Sequence, residues 1–168
     1  VVKNGRIYPQ AVVDMSHAQF ADAAQYYLDR LSRIDRDAEF VVDKLPHNFD
    51  RIGLIRLLFP NATVIHLTRD ARDVAVSNYY QNFAAKHGLM GFAFDLGDIG
   101  HMLNDHDRIM AHWHKLFPGA IYDQSYESLV RDPETEIAKL LDHCGLPWDD
   151  RVMRFYETQR PVKTASVR

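Results

Sequence analysis

The chain has 168 residues, 46% of them hydrophobic and 26% charged, a composition that predicts one compact globular domain rather than a coiled coil or a disordered tail. Its 20 Lys and Arg against 23 Asp and Glu give a formal charge of −3, which argues against nucleic acid or an anionic membrane as a partner. The single cysteine, Cys144, excludes an internal disulfide and a thiolate zinc site.

Helices and short strands alternate in the first half of the chain. Residues 16–34 are predicted to form an amphipathic helix capped by Ser16, and the β-branched run at 39–43 a buried strand. A second helix opens at Asn48 and ends before Pro60, and residues 62–68 form the clearest strand of the chain. Asp70 caps a helix that is predicted over residues 70–83.

The second half continues the alternation. Residues 88–100, with four glycines, are predicted to form a mobile covering loop, followed by a long helix over 98–117 and a third strand over 120–122. Helices are predicted at 133–144 and 148–157. This order predicts an α/β domain with a three-layer parallel sheet flanked by helices. Because three strands make a thin parallel sheet, we expect a further strand on residues outside this chain.

The chemistry-bearing residues follow the strands, where open parallel sheets bind their ligands. Asp43 and Lys44 follow the first strand, Arg69 follows the second and Tyr126 the third. Arg69 precedes a helix N-terminus, which favours an anion, and Ser77 adds a hydroxyl donor a little over two turns along the helix. An arginine fork with a hydroxyl suits a terminal phosphate. The alternative is a structural ion pair of Arg69 with Asp73 or Asp43, in which Ser77 is incidental.

The segment HLTRDARDVAVSNYY at 66–80 resembles the 3′-phosphate-binding segment of sulfotransferases that use 3′-phosphoadenosine 5′-phosphosulfate (PAPS). Further segments occur in the order of the bacterial, tetratricopeptide-repeat-associated branch, which is related to the tyrosyl-protein sulfotransferases: VDKLPHNF at 42–49, LFPNA at 58–62, YESL at 126–129 with Asp132-Pro133, CGL at 144–146 and VKTAS at 162–166. The resemblance covers about residues 39–168.

This resemblance implies a P-loop nucleotide-kinase-like fold and transfer of a sulfuryl group from PAPS to an acceptor hydroxyl or amine, leaving 3′-phosphoadenosine 5′-phosphate (PAP). Arg69 and Ser77 would hold the 3′-phosphate and Tyr126 would contact the adenine. Lys44 would stabilise charge on the transferring group, and Ser166 would lie near the phosphosulfate. The chain would be a single partial domain, with residues 1–38 on the acceptor side and 39–168 forming the cofactor core.

The chain departs from the family pattern at one point. The loop for the 5′-phosphosulfate and the glutamate base of related branches are expected upstream of Val1, so we expect a chain limited to these residues to be an inactive fragment. Asp43 and His47 are the nearby substitutes for a base. The alternatives are a non-catalytic nucleotide-binding or protein-interaction module and a nucleotide kinase, which would need a Walker lysine loop.

The sequence also bears on the acceptor, on metal binding and on cellular location. The acceptor stays open between a peptide, a carbohydrate and a lipid or other small molecule, as does the oligomeric state. No metal site is predicted, because His101, His106, His112 and His114 occupy several helix faces without tight ligand spacing. With no secretory signal or membrane-spanning run, a cytoplasmic location is expected.

Overall fold

The computed structural model describes residues 2–3, 5–81 and 90–158. Two compact units divide the chain, Val1–Ala62 and Thr63–Arg168, where composition predicted one domain. The division into an acceptor side (residues 1–38) and a cofactor core (residues 39–168) stays a prediction. No helix in the described ranges is long and apolar enough to cross a membrane.

The N-terminal unit is mainly helical. Its elements are the antiparallel strands β1 (Val2–Lys3) and β2 (Arg6–Ile7), a 3-10 helix (Gln10–Asp14), α1 (His17–Ser32), a second 3-10 helix (Pro46–Arg51) and α2 (Ile52–Leu58). Ser16 caps α1 as predicted, in a reciprocal capping box with Gln19. The rings of Tyr27 and Phe59, 5.4 Å apart, join α1 to the end of α2.

The strand predicted at residues 39–43 is wrong. This segment has no regular secondary structure, and the side chains of Phe40, Val41 and Val42 are more than half exposed. A strand needs a neighbour to pair with its backbone, and none of the described residues supplies one here. The β-branched residues of this run therefore favour a strand locally, but no strand in the described part of the chain pairs with them.

The C-terminal unit contains the parallel sheet. Its elements are β3 (Val64–Thr68), α3 (Ala71–Tyr80), a 3-10 helix (Gly91–Phe94), α4 (Leu96–Leu116), β4 (Ile121–Ser125), α5 (Tyr126–Arg131), α6 (Pro133–Cys144) and a last 3-10 helix (Asp150–Glu157). Strands β3 and β4 pair in parallel, from Val64 beside Ile121 to Thr68 beside Ser125. The described residues are thus α/β with a small parallel sheet, in which two strands are paired where three were predicted.

Two helices of this unit, α6 and α4, begin or end beside residues that cap them. Asp132 and the left-handed Gly145 bound α6 where the sequence predicted. The predicted loop at 88–100 is wrong in part, because Asp95 accepts hydrogen bonds from the amides of Gly97 and Asp98 and starts α4 at Leu96. Residues 82–83 of the helix predicted over 70–83 and residues 88–89 of that loop lie outside the described residues.

The two faces of β4 contact different helices. Tyr122 stacks on His143 of α6, with ring centroids 4.8 Å apart, and the buried Gln124 donates a 3.0 Å hydrogen bond to Glu136 of the same helix. Asp123, on the opposite face, contacts His114 of α4. The sheet and its helices thereby fix the backbone at the carboxyl ends of β3 and β4.

Candidate functional site

The carboxyl ends of β3 and β4 bring together Arg69 and Tyr126, which directly follow the two strands. The guanidinium carbon of Arg69 lies over the ring of Tyr126, 4.6 Å from its centroid. Parallel pairing places both strand ends at one edge, which is the place where open α/β sheets bind ligands. The two side chains form a cation–π pair, which places a positive charge beside an aromatic ring at the edge of the sheet.

Arg69 also forms an ion pair with Asp73, with 3.1 Å between Nη2 of Arg69 and Oδ2 of Asp73. This is one of the ion pairs that sequence reasoning left open as the alternative to anion binding. The pair is at the surface, with 39% of the Arg69 side chain and 56% of that of Asp73 exposed. An exposed pair four residues apart stabilises by only about 0.3–0.5 kcal/mol, so Asp73 can exchange for a stronger anion.

The N-terminus of α3 is less open to an anion than expected. The Asp70 carboxylate accepts the amide of Arg72 at 2.8 Å and also its guanidinium at 2.9 Å, and these bonds hold the pKa of Asp70 far below its ordinary value. The backbone amide of Asp70 donates to Glu127 at 2.8 Å. These two amides therefore have carboxylate partners, which leaves less of the helix N-terminus for an external anion.

Glu127 is a site residue that sequence reasoning missed. One carboxylate oxygen accepts the amide of Asp70, and the other accepts the hydroxyl of Ser125 at 3.0 Å. The bond from the Asp70 amide is the largest of the effects that lower the pKa of Glu127. This carboxylate therefore ties the turn after β3 to the turn after β4, which bear Arg69 and Tyr126. An ionisable residue directly after Tyr126, at a strand end, was the available signal.

Ser77 lies on α3 four residues beyond Asp73, so these two side chains share one helix face. The side chain of Ser77 is exposed. Arg69 precedes the helix, and its ion pair with Asp73 brings it to the end of this face that is nearer the sheet.

Lys44 lies in the N-terminal unit, in an exposed segment before the 3-10 helix Pro46–Arg51. The preceding carboxylate, Asp43, accepts a 2.5 Å hydrogen bond from the Tyr27 hydroxyl and a longer one from Asn48. The bond to Asp43 raises the pKa of Tyr27 to about 12. Asp43 therefore anchors this segment to α1, whereas sequence reasoning considered it as a partner of Lys44 or Arg69.

The two remaining candidates are less informative. His47, the other substitute for a base, is half-buried, with its ring 6.3 Å from that of Phe49. Ser166 lies outside the described residues.

One group in the described part of the chain has metal-ligand geometry, on the α4 side of the sheet. His66, His114 and Asp123 each offer a ligand atom, and these atoms all lie within 4.8 Å of one another. The four histidines considered from the sequence include His114 but neither of its neighbours here. The proximity of His66 to Asp123 depends on the register of β3 and β4, which could not be predicted from the sequence.

The model of the Sulfotransferase family matches residues 7–150. An uncharacterized protein of Aquifex aeolicus (strain VF5) is 60% identical over 168 residues, which is 100% of this chain and 22% of that protein. No solved structure matches the chain.

A second pair of relatives carries a named activity. Omega-hydroxy-beta-dihydromenaquinone-9 sulfotransferase Stf3 of Mycobacterium bovis is 29% identical over 124 residues, or 66% of this chain and 30% of that enzyme, and the Mycobacterium tuberculosis protein of that name matches equally. The chain therefore spans less than a third of the length of these curated relatives. Since the family model covers most of its length, the chain belongs to the sulfotransferase family.

Proposed function

We propose that this member of the sulfotransferase family takes part in transfer of a sulfuryl group from PAPS to an acceptor hydroxyl or amine, releasing PAP. The observation that carries the proposal is the pairing of Arg69 with Tyr126 at the carboxyl edge of the sheet. The cation suits the 3′-phosphate and the ring suits the adenine. A P-loop nucleotide-kinase-like fold, the tetratricopeptide-repeat-associated branch and a cytoplasmic location belong to the same proposal.

The 3′-phosphate would replace Asp73 at the Arg69 guanidinium and accept a hydrogen bond from Ser77. A charge-assisted contact contributes about 1.5–3 kcal/mol, several times the exposed ion pair that it replaces. The Tyr126 ring is 40% exposed while Arg69 lies over it, so part of the ring stays available to a base. Ser166 near the phosphosulfate remains part of this proposal.

The chemical step would follow the logic of phosphoryl transfer. The acceptor oxygen or nitrogen forms a bond to sulfur while the bond from sulfur to the 5′-phosphate oxygen breaks, and the acceptor proton passes to a base. Positioning and cationic stabilisation supply most of the catalysis in such reactions. Lys44 is proposed as the cation beside the transferring group, in a segment that the Tyr27–Asp43 hydrogen bond holds to α1.

A hydroxyl acceptor is the first class to test. The mycobacterial relative is named for an omega-hydroxy acceptor, which supports a hydroxyl over an amine. A peptide, a carbohydrate and a lipid acceptor are all compatible with the exposed surface of the described residues. The acceptor panel should therefore contain primary alcohols of all three classes.

The test is PAP release from PAPS by the full-length protein, measured by liquid chromatography with mass detection in the presence of the acceptor panel. Lys44→Ala should lower kcat on the order of 100-fold, because a transition-state cation is lost, while PAP affinity stays within about twofold. Lys115→Ala, at an exposed position near the end of α4, is the matched control and should leave kcat unchanged.

Two outcomes would count against parts of the proposal. An unchanged kcat in Lys44→Ala would remove Lys44 from the chemistry. Tight PAP binding without PAP release for any acceptor would favour the alternative of a non-catalytic nucleotide-binding or interaction module.

A further inference from the structure

A cluster of imidazoles and carboxylates lies between the sheet and α4, on residues that the proposed sulfuryl transfer does not use. His66 of β3 and Asp123 of β4 are register partners, so their side chains leave the sheet on the same face. Nδ1 of His66 lies 2.7 Å from Oδ1 of Asp123, and Nε2 of His114 lies 3.3 Å from Oδ2. One carboxylate thus lies between imidazoles from a strand and a helix.

A second histidine continues the chain of contacts behind His66. Nε2 of His66 lies 3.1 Å from Nε2 of His106, whose Nδ1 lies 3.0 Å from Asp107. His66 is thus held through both ring nitrogens, by Asp123 at Nδ1 and by His106 at Nε2.

A divalent cation bound jointly by His66 and Asp123 is compatible with these contacts. His66 would then bind the metal through Nδ1 and carry its one proton on Nε2, donating to Nε2 of His106. His106 would donate its own proton from Nδ1 to Asp107. Each remaining contact then has one donor and one acceptor, and His66 has the outer-sphere partner that metal-bound histidines regularly have.

We propose that His66 Nδ1, His114 Nε2 and a carboxylate oxygen of Asp123 form a binding site for a divalent transition metal, of which zinc is the reference case. Two imidazoles and one carboxylate favour zinc, cobalt or nickel over magnesium and calcium, which prefer all-oxygen ligands. Three protein ligands leave a fourth position for water. The ligand atoms, all within 4.8 Å of one another, are close enough to converge on one ion by small side-chain rotations.

The elements that carry the three ligands determine the structural effect of a bound metal. Its ligands come from β3, β4 and α4, so one ion would cross-link three elements of the C-terminal unit. The side chain of His66 is only 14% exposed, whereas those of His114 and Asp123 are considerably more open and leave a path for the ion. The metal would stabilise the packing of α4 on the sheet, independently of nucleotide binding.

The experiment is a titration of the purified, metal-free protein with Co²⁺, followed by visible absorption, and with Zn²⁺, followed by calorimetry and thermal unfolding. The wild type should bind one ion, show a saturable Co²⁺ absorption band and unfold at higher temperature with Zn²⁺. Asp123→Asn and His114→Gln should each weaken binding by at least about 100-fold, and His106→Leu by about 10- to 100-fold through loss of the outer-sphere partner of His66. His101→Gln, exposed on the same helix, is the control and should bind as the wild type does.

Two results would overturn the proposal. The first is the absence of saturable Co²⁺ and Zn²⁺ binding to the wild type. The second is equal affinity in His114→Gln and His101→Gln. Circular dichroism checks that the variants fold, and if Asp123→Asn does not fold, the comparison of the two α4 variants and the wild-type titration still decide.

Discussion

Replacing Arg69 by alanine tests the phosphate assignment against the surface ion pair that Arg69 makes in the unliganded protein. Binding of a 3′-phosphate would gain about 1.5–3 kcal/mol from the charge-assisted contact. It would lose the exposed pair with Asp73, which contributes about 0.3–0.5 kcal/mol. The difference of about 1.0–2.7 kcal/mol predicts that Arg69→Ala weakens PAP binding about 5- to 100-fold.

The assay is calorimetric titration with PAP and with AMP, which differ only in the 3′-phosphate. AMP lacks the phosphate that Arg69 would bind, so its affinity should change by no more than about twofold. Loss of the cation over Tyr126 would act through the adenine contact on both nucleotides, so the PAP-to-AMP affinity ratio isolates the phosphate contact. Arg72→Ala is the matched control, because Arg72 is 90% exposed and pairs with Asp70. An equal loss for PAP and AMP in Arg69→Ala would refute the reasoning.

Two further predictions concern tyrosines. Tyr126→Leu should weaken PAP and AMP alike by about 1–3 kcal/mol through lost stacking, whereas Tyr126→Phe should keep most of the affinity; a selective loss for PAP would contradict an adenine contact. The pKa of Tyr27, raised to about 12 by Asp43, predicts that the stabilising hydrogen bond is intact below pH 10 and is lost as pH rises toward 12. Burial also raises the pKa of Tyr8, so absorbance titration at alkaline pH should show more than one late-titrating tyrosine. Tyr27→Phe should have one fewer of them than the control Tyr26→Phe; equal numbers in the two variants would contradict this assignment.

Local signals were enough to predict much of the fold. The boundaries of α6 follow from Asp132, Pro133 and Gly145, all within a turn of the helix ends. The Ser16 cap of α1 is similarly local, and the ion pair of Arg69 with Asp73 follows from a spacing of four residues. The rule that parallel strands present their carboxyl ends at one edge predicted that Arg69 and Tyr126 both follow strands there.

Features that depend on distant partners could not be predicted. The run at 39–43 has strand-like composition, yet no described strand pairs with it. The contact of Glu127 with the Asp70 amide joins residues 57 positions apart, and the proximity of His66 to Asp123 needs the register of β3 and β4. The Asp95 cap of α4 is a local signal, but the glycines around it favoured the prediction of a loop.

A structure of the protein crystallised with PAP tests the central claim most directly. The account predicts the 3′-phosphate within about 2.7–2.9 Å of the Arg69 guanidinium, with Asp73 released and the adenine against Tyr126. PAP held elsewhere, with Arg69 still paired to Asp73, would contradict it.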